Sequence, residues 1–205
     1  MKGYTALAKS ITFNDLHEVV NALTTALDAK SHYTCGHSER VAEFALLLSK
    51  GLALSLPEQR RIHIGAHLHD IGKIGIPDAI LNKTGKLTSV EFQIMQKHPL
   101  IGDNIVRKMK VFHDIVDIVR FHHERFDGNG YPDGLSGTRI PIGARIVAVA
   151  DALDAMISCR PYRSAYSFEA ALEEVSRCSG TQFDPLIVNK LLELHRHGHV
   201  NAKVS

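Results

Sequence analysis

Seven side chains able to bind a metal through nitrogen or oxygen, His37, His69, Asp70, His98, His122, His123 and Asp151, fall where helical patterns end or on apolar helix faces. Imidazole nitrogen together with carboxylate oxygen suits a divalent transition metal of intermediate softness. The densest stretch is His67-Leu68-His69-Asp70-Ile71-Gly72-Lys73-Ile74-Gly75, in which a run of apolar and small residues closes on a His-Asp pair. Neighbouring residues on a helix do not face one another, so a shared task for His69 and Asp70 requires a helix end, where the backbone turns. Asp151 follows the apolar run 146–150. A carboxylate so placed is costly unless it is hydrogen-bonded or coordinates a metal, and it is read as a ligand. Seven ligands exceed the need of one ion. Two ions bridged by a carboxylate would use them, with Asp70 as the bridge, and two metals roughly 3.5–4 Å apart form a clamp for in-line displacement at phosphorus. Lys73, Arg160 and Arg163 supply fixed positive charge for a phosphate.

Other histidines are set apart. His63 and His67 have the i, i+4 spacing that can hold a metal, but no Glu lies between them as in zinc proteases. They are read as surface residues or as supports behind the ligands. His195, His197 and His199 are read as a solvated tail.

The elements that must position these residues are helical. Phe13, Leu16, Val19, Val20, Leu23, Ala26 and Leu27 recur at helical spacing behind Thr12 or Asn14 as caps; the stripe is read as core packing in preference to a dimer seam. His37 opens a second helix, and Pro57 suits the first turn of a third that runs to Asp70. Residues 80–87 read as a loop. Thr88 and Glu91 make a capping box, and His98, preceding Pro99, is expected at a bend. The helix around 115–121 ends in His122-His123-Glu124. A turn-rich loop from Arg125 to Pro141, anchored by Phe126 and Tyr131, precedes an apolar helix over 142–157. Ser167 and Asp184-Pro185 start the last two helices. No stretch alternates as a strand does, so the fold class is all-α.

At 205 residues, 44% apolar and 22% charged, the chain suits one globular domain with a sizeable core. A formal charge of +2 is too small to argue for nucleic acid, a membrane surface or an acidic partner. Thirteen histidines are the compositional anomaly, and metal or proton chemistry accounts for them. Cys35, Cys159 and Cys178 are odd in number and irregularly spaced, as free thiols in a reducing compartment are. No apolar run reaches membrane-spanning length and no signal-peptide pattern opens the chain; a cytoplasmic protein is expected.

Together the motifs resemble an HD-GYP domain, a subgroup of the HD metal-dependent phosphohydrolases. The likeness rests on His69-Asp70-Ile71-Gly72-Lys73, on His122-His123-Glu124-Arg125-Phe126-Asp127-Gly128-Asn129-Gly130-Tyr131-Pro132, and on Asp151 ahead of Arg160-Pro161-Tyr162-Arg163. Thr34-Cys35-Gly36-His37-Ser38 and His98-Pro99 also match, so it runs from about Asp28 to Pro185. It implies an HD-domain helical bundle with the Gly-Tyr-Pro loop over the site, and hydrolysis of cyclic di-GMP to the linear dinucleotide or GMP. The implied cofactors are two divalent ions, Fe or Mn, held by the seven ligands above. His69, Asp70 and Lys73 would serve catalysis, and Lys73, Tyr131, Arg160 and Arg163 would face the nucleotide. Some members place a Glu four residues before the first ligand histidine, where it binds a third metal; Tyr33 stands there, so two ions are expected. No receiver or sensor pattern is recognised upstream. The expected organisation is an N-terminal helix over 1–27, a catalytic domain over 28–195 and a flexible tail over 196–205. A hybrid cyclic GMP-AMP substrate, a non-catalytic interaction module, a protein partner docking on the Gly-Tyr-Pro loop and a homodimer stay open.

Overall fold

The computed structural model describes residues 12–30, 36–158 and 165–200. Among them the chain forms α1 (Phe13–Lys30), α2 (His37–Gly51), α3 (Leu56–Leu68), α4 (Asp78–Leu81), α5 (Ser89–Met95), α6 (His98–Val106), α7 (Val116–Phe121), α8 (Ile142–Ile157), α9 (Phe168–Arg177) and α10 (Pro185–Arg196). Short 3-10 turns cover Ile71–Gly75, Lys110–Ile115 and Gly137–Arg139, and no strand occurs among the described residues. The fold is an all-α helical bundle.

Capping residues set most boundaries. The Thr12 side chain accepts from the Asp15 backbone N–H at 3.1 Å, while the Asp15 carboxylate returns to the Thr12 N–H at 2.8 Å. Capping boxes start α3 at Ser55 with Glu58 and α5 at Thr88 with Glu91. Ser167 caps α9 and Asp184 caps α10 ahead of Pro185. Two expectations need correcting. The stretch read as a loop over 80–87 overlaps the single-turn helix α4. His98 is not extended: the bend falls at Gln96-Lys97, and His98 begins α6 with Pro99 in its first turn, where an absent N–H costs no hydrogen bond.

Two apolar clusters hold the bundle. The larger joins α2, α3, α7, α8, α9 and α10 through Phe44, Leu48, Ile62, Ile118, Ile146, Leu153, Val175 and Leu191. The smaller joins α1, α3 and the region around α7 through Val20, Ile64, Leu68, Phe112 and Val119. Helix α3 belongs to both, so its C-terminal end is gripped from either side. Each fully buried Leu, Ile or Phe contributes roughly 1.5–3 kcal/mol, which is the scale needed to offset buried charge at one point between the clusters. The stripe of α1 packs inward at Val20 and Leu27, and α1 continues past residue 27 to Lys30. At the other end, His195 is not a solvated tail residue. It lies in α10, its ring sits 5.4 Å from that of Phe168, and its Nδ1 is 3.1 Å from the carbonyl of Val200, which is itself buried. No helix among the described residues is long and apolar enough to cross a membrane.

Candidate metal centre

Five backbone segments deliver the ligand-type residues to one place. Gly36, at φ 69°, turns the chain into α2 so that His37 occupies its first position. His69 ends α3, and the 3-10 turn over Ile71–Gly75 carries Asp70 across the helix end. A Cβ on Gly72 would stand 1.9 Å from the His98 carbonyl oxygen. Only glycine permits that approach, and it seats the start of α6 against Asp70. His122 and His123 follow α7, and Asp151 projects from the middle of α8.

The Asp70 carboxylate lies between two sets of imidazoles. Its Oδ1 is 3.2 Å from His98 Nε2 and 3.8 Å from His122 Nε2. Its Oδ2 is 3.3 Å from His69 Nε2 and 3.9 Å from His37 Nε2. Asp151 joins the second set, 3.2 Å from His37 Nε2 and 4.0 Å from His69 Nε2. His123 completes the first set, with donor atoms of Asp70, His98, His122 and His123 all within 4.8 Å of one another.

The donor chemistry fits metal ions. Nδ1 of His69, His98 and His122 lies 2.7, 2.8 and 2.9 Å from the carbonyls of Ala66, Met95 and Val119, in each case three residues earlier. A carbonyl only accepts, so Nδ1 carries the proton and Nε2 offers a lone pair; the tautomer follows from the partner. His37 obeys the same logic through Asp154, whose Oδ2 is 2.6 Å from Nδ1. The bare Nε2 atoms of His98 and His122 then face each other at 3.3 Å with no proton between them. His69 Nε2 and Asp70 Oδ1 are buried and make no hydrogen bond. Lone pairs converging in a buried space repel unless a cation takes them.

Electrostatics point the same way. Burial works against ionised Asp70, yet the Lys73 ammonium beside it holds it well below the usual carboxylate range. Asp151 is likewise held low by His37 against the effect of burial. Burial, with neighbouring imidazoles, drives His122 well down and His123 down to about 3, so both are neutral ligands at physiological pH. His37 differs: burial alone would lower it, but Asp151 and Asp154 raise it to about 9. Its proton must leave when a metal enters.

Lys73 places its ammonium on Asp70 Oδ2. The Tyr131 ring stacks on His123, with centroids 4.9 Å apart and planes at 28°, and its backbone N–H donates to the His123 carbonyl at 3.2 Å. The loop carrying it is held by Glu124, which accepts from the Asp133 N–H at 2.8 Å, and by an Arg120–Asp133 ion pair at 2.8 Å. Gly130 passes so close to Glu124 and Arg125 that a Cβ would meet backbone at 2.3 Å. Arg160, Arg163 and Tyr33 lie outside the described residues. His63 and His67 do not join the centre. They meet His17 of α1 instead, and His67 is buried, not a surface residue.

Asp154 was not singled out from the sequence. It is fully buried, orients His37, and also accepts from Arg40 Nε at 2.6 Å and from the Ser158 hydroxyl at 3.3 Å. Its i, i+3 relation to Asp151 on an apolar helix is the one sequence signal that marks it.

The sequence pattern of the HD domain family matches residues 21–187. The cyclic di-GMP phosphodiesterase response regulator RpfG of Xanthomonas campestris pv. campestris is 44% identical over 177 residues, covering 85% of this chain and 47% of that protein. The 3′3′-cGAMP-specific phosphodiesterase 3 of Vibrio cholerae is 40% identical over 167 residues, covering 82% and 36%. The chain thus spans less than half the length of either relative. A crystal structure of a cyclic GMP-AMP specific phosphodiesterase from V. cholerae superposes with a TM-score of 0.69 at 22% identity, over 88% of this chain and 49% of that one, which is a likeness of fold. With the family pattern spanning most of the sequence and its His-Asp pair lying at the focus of the imidazoles, the chain belongs to the HD domain family.

Proposed function

We propose that the chain is the catalytic region of a metal-dependent phosphodiesterase that hydrolyses cyclic di-GMP to the linear dinucleotide or GMP. The observation that carries the reading is the Asp70 carboxylate, with one oxygen toward His98 and His122 and the other toward His37 and His69. His98, His122 and His123 would hold one ion and His37, His69 and Asp151 the other, with Asp70 common to both. Iron or manganese suits this mixed imidazole and carboxylate set. Such ions, when bound, lower the pKa of a water and neutralise charge on phosphoryl oxygens. The remaining work falls to the protein. Lys73 keeps Asp70 ionised and leaves a positive charge beside the space where a phosphodiester would lie. Asp154 fixes the His37 proton on Nδ1, and Tyr131 offers an aromatic face beside His123 for a base or ribose. Arg160 and Arg163 would meet the phosphates or a guanine edge.

The 40% identity to a 3′3′-cGAMP-specific enzyme supports a second reading, in which the same centre cleaves the hybrid dinucleotide. Side-by-side hydrolysis of cyclic di-GMP and 3′3′-cGAMP by manganese- or iron-loaded protein, by chelator-treated protein and by Asp70→Asn separates the readings. Faster loss of cyclic di-GMP is expected, with Asp70→Asn folded but depleted of metal and inactive. Faster loss of 3′3′-cGAMP selects the second reading. Full activity in chelator-treated or Asp70→Asn protein rejects both.

A further inference from the structure

A second cluster of imidazoles lies apart from this centre, where α1 crosses α3. His17 Nε2 is 3.3 Å from His63 Nε2, with ring planes within 8° of parallel. The His67 ring stands edge-on to both, its centroid 5.0 Å from that of His17 and 4.7 Å from that of His63. One ring nitrogen from each of the three falls within 4.8 Å of the others. His67 is only 3% exposed, and among the described residues its ring packs edge-on against the two other imidazoles and makes no hydrogen bond. A buried imidazole without a hydrogen bond is uncommon, and here one ring nitrogen lies within reach of the two further imidazoles.

We propose that His17, His63 and His67 form a separate binding site for a borderline divalent cation of the zinc class. His63 Nδ1 is 3.3 Å from the Ala42 carbonyl, which places its proton there and frees Nε2. His17 Nδ1 lies 3.3 Å from the Asn21 side-chain nitrogen, which donates to it. With that amide turned end for end, as a cation on Nε2 would require, its oxygen accepts from Nδ1–H and Nε2 is free as well. At a zinc–nitrogen distance of about 2.0–2.1 Å, tetrahedral ligands stand roughly 3.3–3.4 Å apart. The His17–His63 separation matches this, and it equals the 3.3 Å between His98 and His122 in the centre described above. His17 is half-buried, so the site opens toward solvent and its third side can close by adjustment of that side chain.

The cluster has no carboxylate among its donors. An all-imidazole set favours zinc, copper or nickel over the oxygen-seeking magnesium, calcium and manganese, so it differs in selectivity from the Asp70 centre. His67 precedes His69 by two residues, about 200° round the helix, so the two sites use opposite sides of α3. An ion there would fasten α1 to the helix whose end carries His69 and Asp70.

Zinc content discriminates, and it does so whether or not the protein hydrolyses a cyclic dinucleotide. Wild type, His17→Gln and His63→Gln are each equilibrated with Zn²⁺, freed of excess by dialysis and assayed for zinc per chain. Wild type is expected to retain one equivalent more than either variant, and to gain a larger rise in Tm on zinc addition. Wild-type crystals soaked in Zn²⁺ are expected to show an anomalous peak within bonding distance of all three rings. Equal zinc content in the three proteins overturns the proposal. So does an anomalous map with peaks around Asp70 and none among His17, His63 and His67, an outcome that holds even if a variant fails to fold.

Discussion

Replacing Asp154 by Asn keeps the side chain's shape and removes its charge, which isolates what that charge does for His37. The carboxylate serves two donors at once, His37 Nδ1 at 2.6 Å and Arg40 Nε at 2.6 Å. An asparagine has one oxygen for these two demands. If the oxygen faces His37, the amide NH2 meets the Arg40 guanidinium, donor against donor. If it faces Arg40, the NH2 meets Nδ1, and the imidazole must move its proton to Nε2, the atom needed for the metal. Either orientation forfeits one charge-assisted hydrogen bond of roughly 1.5–3 kcal/mol. Loss of a carboxylate behind a metal-bound histidine typically weakens metal binding about 10- to 100-fold, or roughly 1.4–2.7 kcal/mol, so the two estimates agree. Titration of manganese against a competing chelator should show one weakened ion of two, with circular dichroism unchanged. Both ions binding within twofold of wild type in a folded Asp154→Asn protein would refute the reasoning.

Three further outcomes are expected. Gly72→Ala forces a methyl group into the space occupied by the His98 carbonyl; it should destabilise by about 3 kcal/mol or more in urea unfolding and cut metal content, and wild-type stability would contradict the packing argument. In metal-free protein, His37, raised to about 9, contributes stability that is present below about pH 6.5 and lost as pH rises through 9, roughly 3 kcal/mol in all. His123, lowered to about 3, adds stability as pH rises from 3 to 6.5. Unfolding free energy should therefore peak near neutral pH, and a continued rise from pH 7 to 9 would contradict the His37 assignment. Tyr131→Phe keeps the ring on His123 and should bind metal as wild type does, whereas Tyr131→Ala loses a contact of about 0.5–1.5 kcal/mol and should weaken one ion several-fold; chelator competition that finds the two variants alike removes Tyr131 from the site.

Helix ends were the most legible features of the sequence. Thr88 with Glu91, Ser167, and Asp184 before Pro185 each cap the helix expected of them, because capping acts within one turn. The apolar run over 142–157 forms α8 with those same ends. His37, His69, Asp70, His98, His122, His123 and Asp151 also converge, since residues at helix ends can be aimed at a shared point. What escaped depends on contacts between distant segments. Asp154 looks like one more acid beside Asp151 until His37, 117 residues earlier, docks against it. Nothing around His17 marks it as a neighbour of His63 and His67; that encounter comes from the crossing of α1 and α3. His98 departs from the bend expected of it because the bias of proline against a preceding helical residue gives way to the packing of α6 on Gly72.

The carbonyl three residues before each of His69, His98 and His122 makes a ligand's protonation state the property of a four-residue unit: Ala66–His69, Met95–His98 and Val119–His122. Such a unit is portable. The segment that bears it can slide or tilt over generations of sequence drift and still present an unprotonated nitrogen, because the partner travels with the ring. His37 has no such independence. Its partner sits on α8, so α2 and α8 must drift as one piece, and that half of the centre is the more brittle inheritance.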